Sequence, residues 1–480
     1  MSPVITCKKV ILSFISFLFF SSQSFSQSVG VGTATPNASA ILDVSSTTKG
    51  TLITRMSTAQ RNAIVSPAAG LLVFDLDKST IYLFDGQKWQ PMLFTTSDAN
   101  IPLVAHSVTD GSASDNFGIS VSISGDYAII GAYYDDIGTH TDQGSAYIFV
   151  REGGAWTEQA KLTASDGAAS ENFGASVSIS GDYAIIGAPK GGGAWVLQGA
   201  AYIFIRNGTS WSEQAKLNAA DGEPGDYFGN SVSINGDFAI IGAPRDDVFY
   251  ASQGSAYVFV RSGTSWSQQS RLSYAGGQYN DYFGISVSID GNSAVVGVLY
   301  FDWFATDQGA AYVFTRSGST WTQQAQLLAN DGAAGDAFGY SVSINGDYAI
   351  AGAPNRNGPT TKEGAAYIFK RTGTTWSQQV KLTRLESEAT SYFGNSVCIS
   401  GDYVIVGAYY DDIGAHTDQG SAYLYRRAGT TWSLERNLND GSGQSAGLFG
   451  SAVGVSGLNY IIGAIGKNGY KGEVSFLNIE

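Results

Sequence analysis

The chain has 480 residues, 60 of them glycine, and a formal net charge of −14. Aromatic residues make up 12% and charged residues only 14%, against a usual charged share of roughly 25%. This excludes a disordered chain, which is poor in aromatics and rich in charge; glycine without a three-residue period excludes collagen, and the acidic balance argues against a phosphate backbone as partner.

From the N-terminus, residues 1–26 read as a secretory signal peptide. Lys8 and Lys9 form a basic start, 10–20 is apolar, and Ser24-Phe25-Ser26 is a small-x-small cleavage site. The apolar run is shorter than the ~20 residues a spanning helix needs. Mature protein would begin at Gln27 with a formal charge of −16. Cys7 leaves with the signal, so Cys398 remains without an intrachain disulfide partner. It stands where other repeats have Ser, as a small strand residue.

Residues 27–95 form a separate small module. Stretches 30–33 and 40–44 read as short strands. Ser57-Thr58-Ala59-Gln60 has the capping-box pattern and opens a short helix through Ile64, ended by Pro67. Residues 71–75 and 80–84 alternate as a hairpin, with Trp89 after Asp85-Gly86. The runs 30–33, 41–44, 55–61 and 70–75 resemble a leader module of exported Bacteroidetes proteins, some of them tail-fibre-like. That resemblance implies an extracellular or outer-membrane surface setting, not an activity. Residues 96–102 read as a linker.

From 103 to 480 the chain repeats. Phe-Gly recurs at Phe117, Phe173, Phe228, Phe283, Phe338, Phe393 and Phe449, at intervals of 55 or 56 residues, with Trp156, Trp211, Trp266, Trp321, Trp376 and Trp432 in step. Each repeat reads as four strands. A Ser/Val alternation ends in a tight Ser-Gly, Asn-Gly or Asp-Gly turn. A Tyr-Ala-Ile-Ile-Gly strand, a variable loop, a Ser-Ala-Tyr-Ile-Phe-Val strand and a Trp strand follow. No segment has a helical period long enough for a helix. Seven such units predict an all-β, seven-bladed propeller. The last repeat lacks its Trp strand, while 103–107 supplies one ahead of the first Phe-Gly. The chain start therefore completes the last blade and closes the ring.

With Gly-Ala-Pro at Gly187, Gly242 and Gly352, relaxed elsewhere, these repeats resemble FG-GAP repeats, the propeller modules of integrin α-subunits and many bacterial surface proteins. The family places Ca²⁺ in a long Asp-rich loop between the first and second strands. Here that loop is a two-residue turn, too short for the six or more oxygens Ca²⁺ takes.

Strand order puts the four-to-one and two-to-three loops on one face, here termed the loop face. It gathers 20 of the 41 acidic residues. Most suit turns; Asp135, Asp136, Asp411 and Asp412 are the candidate metal ligands, for Ca²⁺ held away from the family's position. The opposite face pairs an Asp and an Arg in most blades. The variable loops of repeats two to four carry Trp195, Phe249, Tyr250, Tyr300, Phe301, Trp303 and Phe304, a candidate arc for a protein or glycan ligand. The near-identical loops of repeats one and six, with His140 and His416, read as a copied repeat.

The expected function is a secreted or surface recognition and adhesion protein, with no cofactor required and no nucleic-acid partner. The three histidines form no triad with a marked serine. No phosphate loop, nucleophile elbow or zinc spacing occurs. A carbohydrate-active enzyme on a propeller scaffold, or a structural part of a surface assembly, are the alternatives.

Overall fold

The computed structural model describes residues 29–31, 35, 42–76, 80–92, 103–192, 196–302, 305–358, 361–384 and 390–479. Residues 1–26 and 96–102, expected as signal peptide and linker, lie outside them. The chain divides into two units, Met1–Phe94 and Thr95–Glu480.

In the first unit, β1 (Val29–Val31) pairs in parallel with β2 (Leu42–Val44). A second sheet has the order β3 (Arg55–Met56), β4 (Leu72–Asp75), β5 (Thr80–Phe84), β6 (Trp89–Met92). The helix α1 (Thr58–Asn62) starts at the expected capping box: the Ser57 hydroxyl accepts from the Gln60 N–H and the Gln60 side chain from the Ser57 N–H. It stops two residues before Ile64, with Ala63 as its C-cap. Arg61 is buried, with its guanidinium 3.6 Å from the Tyr82 ring centroid and Nε 3.1 Å from buried Asp75. So small a core leaves Val31, Leu42, Val44, Leu52 and Val65 exposed.

The second unit is β apart from one helical turn, Lys467–Tyr470, in the two-to-three loop of blade seven, where the sequence pattern predicts no helix. Among the described residues it contains seven four-stranded antiparallel sheets. Blade one runs Val121–Ser124, Tyr127–Ala132, Ser145–Glu152 and Ala155–Leu162. Five blades follow the same order. Blade seven has Phe449–Ser456, Asn459–Ala464 and Glu473–Asn478; its fourth strand is β7 (Val104–His106), antiparallel to the third. The innermost strands touch in sequence around the ring, and that of blade seven touches that of blade one. The expected closure is the one found. It pairs two edges that would otherwise be open to other chains.

The repeat motifs are the contacts between blades. The second and third strands are apolar and buried on both faces because each sheet is covered by a neighbour on either side. One core cluster joins Ile129 and Ile148 of blade one to Phe173, Ile186 and Tyr202 of blade two; another joins Phe117 and Phe149 of blade one to Ile461 and Phe476 of blade seven. The innermost strand alternates because its serines bond the next blade. The Ser120 hydroxyl donates to Gly174 O at 2.8 Å, and the Ile179 N–H donates to Ser122 Oγ at 3.1 Å. Both bonds recur in later blades. At the outer edge five of the six Trp indole N–H groups reach a Gln on the preceding blade, as Trp211 does to Gln159 at 3.0 Å, and Trp156 reaches Asn478 of blade seven at 3.4 Å. Across the closure the Gly125 N–H donates to Ser456 Oγ at 3.1 Å.

The two glycine motifs meet face to face. A Cβ on Gly242 would lie 2.0 Å from the carbonyl oxygen of Gly284, the Phe-Gly glycine of the next blade, whose φ is +90°. Equivalent clashes await at Gly131, Gly187, Gly297, Gly352, Gly407 and Gly463.

Opposite the loop face, Arg151–Asp126, Arg206–Asp182, Arg261–Asp237, Arg371–Asp347 and Arg427–Asp402 pair as expected. The aspartates are more than half exposed, so each pair contributes about 0–1 kcal/mol.

Candidate functional site

The acids of the loop face are largely committed within the protein. In blade one, Lys161 Nζ lies 2.7 Å from both Asp110 and Asp135, and the Tyr147 hydroxyl donates to both carboxylates. Burial opposes the Lys161 charge, but its hydrogen bonds to the two aspartates outweigh that and raise its pKa. The position of Asp135 holds Asp246 in blade three, Arg356 in blade five, Asp411 in blade six and Lys467 in blade seven. Each has an opposite charge beside it: Arg271, Asp331 and Asp336, Arg384, and Asp440 respectively. At Asp331, burial works against ionisation, yet bonds from Lys381 and Tyr367 hold its carboxyl at about 2.

Asp136 and Asp412 close their loops, accepting the N–H of Asp142 and Asp418 at 2.8 Å. Asn357 does the same for Lys362, so this position calls for an acceptor rather than a charge. All four expected metal ligands thus have other work, and the Asp135 and Asp411 carboxylates lie against cations. Among the described residues, no three His, Cys, Asp or Glu side chains gather where they could hold a metal ion.

Blade four breaks the pattern. Gly276 stands where blade three has Asp221, and Gln326 where it has Arg271. With both charges gone, an aromatic cluster fills the space. Phe301 is 5% exposed and packs 5.9 Å from Tyr274 and 6.1 Å from Tyr312, ring centroid to centroid. Phe301 is therefore a core residue and leaves the expected ligand arc. Trp195, Trp303 and Phe304 lie outside the described residues. Tyr300 is 39% exposed, its ring 5.6 Å from that of Tyr282 and tilted 57° to it.

What remains of the arc is a cleft. Phe249 is 83% exposed, Tyr250 43% and Tyr279 66%, and the last two rings lie 4.9 Å apart. They line a hollow of about 600 Å³ floored by Tyr274 and the Gly276-Gly277 backbone. Residue 279 was not among the expected site residues. Its signal was present: other repeats place Ala113, Ala169, Pro224 or Ala334 there.

With that geometry in hand, the family can be placed. Six segments, 104–149, 156–204, 211–259, 266–314, 321–369 and 376–425, match the FG-GAP repeat model. The chain belongs to the FG-GAP repeat family. In this FG-GAP protein each matched unit begins at the first or second residue of an outer strand and ends in the third strand of the next blade. The sequence repeat is offset by one strand from the blade, which is how the ring closes on β7. Residues 30–102 match a phage tail like trimerisation region. Among solved structures, that of Saccharomyces cerevisiae Sqt1 aligns with 10% identity and a TM-score of 0.41, over 74% of this chain and 81% of that one. Comparison with curated proteins gives no match. No helix among the described residues is long and apolar enough to cross a membrane.

A second group of loop-face acids carries a pH signature. Asp115, Asp226, Asp281 and Asp336 each accept an N–H three residues back, yet burial raises all four pKa values, that of Asp226 to about 6. Such a carboxyl binds its proton more tightly in the folded state. Its stabilising contribution is complete below the unfolded value of about 3.9 and is lost as pH rises through the folded value. His106, whose pKa burial lowers, acts in the opposite sense. The clean readout is therefore a variant. Asp226→Asn should gain in unfolding midpoint relative to wild type between pH 4 and pH 7, and a difference independent of pH would refute the assignment.

Proposed function

We propose that this FG-GAP protein is an exported recognition or adhesion protein, without catalytic activity, that meets a protein or glycan ligand through its loop face. The observation that carries the reading is the cleft of Phe249, Tyr250 and Tyr279. Exposed apolar rings clustered in one hollow generally mark a binding surface, and rings with a polar edge suit glycan and peptide contact. Its setting supports this further, since the cleft stands where repeat four gives up the ion cluster kept by its neighbours. The non-catalytic part rests on the acids recurring in register with Lys or Arg partners.

The match of residues 30–102 supports a trimer, and the apolar residues exposed on that unit suit burial against other copies. Three propellers on one stem would bind a repetitive surface with avidity far above that of a single site.

The test is a glycan and peptide array probed with the full chain, its mass first measured by ultracentrifugation. The expected result is a trimer whose captured ligand is released at least tenfold more readily from the Phe249→Ala/Tyr279→Ala variant. Equal binding by that variant would remove the cleft from the proposal.

A further inference from the structure

The loop face holds a second pair of hollows, separate from the aromatic cleft. A central well of about 500 Å³ opens at the propeller axis, with lining residues from all seven blades. Asn230, Tyr340, Asn395 and Ser451 give it hydrogen-bonding groups, and Ile119 and Ile285 apolar ones; no Lys, Arg, Asp or Glu lines it. Two polar atoms of its lining residues, Asn395 Oδ1 and Ser451 Oγ, are buried without a hydrogen-bond partner. A pocket of about 190 Å³ adjoins it and shares Asn230 and Ile285.

Arg245 lines that smaller pocket. Its guanidinium lies 4.6 Å from the Tyr227 ring centroid and 6.0 Å from that of Tyr282. Arg271, Arg356, Arg384 and Lys467 on the same face all pair with aspartates. Arg245 forms no ion pair among the described residues. The acids near it in sequence are engaged elsewhere: Asp226 by the Glu223 N–H, Asp246 by Arg271 and Tyr257, Asp247 by the Ser252 N–H. The two tyrosines beside it are held at φ +58° and +55°, where the first two blades place Asn116 and Asn172. Positive φ disfavours a bulky L-residue there. Tyr227 faces Arg245, and Tyr282 contacts both Arg245 and Tyr300.

We propose that the two hollows form one site for a carboxylate-bearing sugar residue. Arg245 takes the carboxylate through its planar fork, and the tyrosine rings hold that fork in place. The uncharged well receives the sugar ring, with amide and hydroxyl groups facing its hydroxyls. This deepens the recognition reading and rests on it, but uses other residues than the aromatic cleft.

The experiment is calorimetric titration of the full chain with oligogalacturonate and with its methyl ester, which keeps the ring and removes the charge. The acid should bind at least tenfold more tightly than the ester. Arg245→Gln should abolish that preference at an unchanged unfolding midpoint, and Tyr279→Ala should preserve it. Equal binding of acid and ester, no binding of either, or an acid preference that survives Arg245→Gln would each overturn the site. Binding lost in Tyr279→Ala but kept in Arg245→Gln would overturn this site while leaving the recognition reading intact. Displacement of the sugar acid by a short acidic peptide at lower concentration would overturn the ligand class.

Discussion

Gly242→Ala should cost on the order of 4 kcal/mol or more and leave little soluble folded protein, although alanine is otherwise among the mildest substitutions. The added Cβ would stand 2.0 Å from the carbonyl oxygen of Gly284. That oxygen belongs to backbone fixed by the next blade, so neither side can give way without opening the seam between two sheets. The control is Gly236→Ala. Its φ of +57° disfavours a side chain, but nothing lies within 4 Å of the new atom. That change should cost only about 1–2 kcal/mol from the left-handed backbone. Chemical denaturation of both variants separates steric from conformational need. A Gly242→Ala protein as stable as Gly236→Ala would show that the blades are not in contact at this seam.

Deleting residues 103–108 should be comparably severe. It removes β7, which pairs Val104, Ala105 and His106 with Phe476, Ser475 and Val474, together with buried Val108. The third strand of blade seven would then present an open edge, a template for pairing with other chains. The expected result is loss of a cooperative calorimetric transition and growth of light scattering on warming. Val104→Ala keeps the backbone pairing and trims a side chain that is 48% exposed, so it should stay within about 1 kcal/mol of wild type. A deletion variant that unfolds like wild type would mean that the strand is dispensable and the ring closes without it.

Most of the fold was legible because it is periodic. The strand count, the closing strand, the rim pairs and the Ser57 capping box all follow from residues whose spacing alone sets their geometry. The candidate site was less legible. Phe301 sits in an aromatic loop beside exposed Tyr300, yet it is core. The paired loss of an acid at Gly276 and a base at Gln326 was the sign that an uncharged space lay beneath. Tyr279 stands in a loop that other repeats build mostly of acids and small residues, and its ring gains meaning only beside Tyr250 from another loop. Asp135 and Asp411 drew attention as possible metal ligands, but their carboxylates face Lys161 and Arg384, which come from strand four of the first repeat and from the loop ahead of the sixth Phe-Gly.

By itself the sequence determined the architecture. A 55-residue period in glycine, serine and aromatic positions has one compact solution, in which each repeat buries its faces against the next. Only the tertiary structure decided which loop residues face solvent. Burial there depends on side chains that the fold brings together from separate loops and strands, such as Asp135 and Lys161, and on whether each finds an opposite charge or another ring. The well at the axis takes its lining from all seven blades, so no single repeat could have shown it.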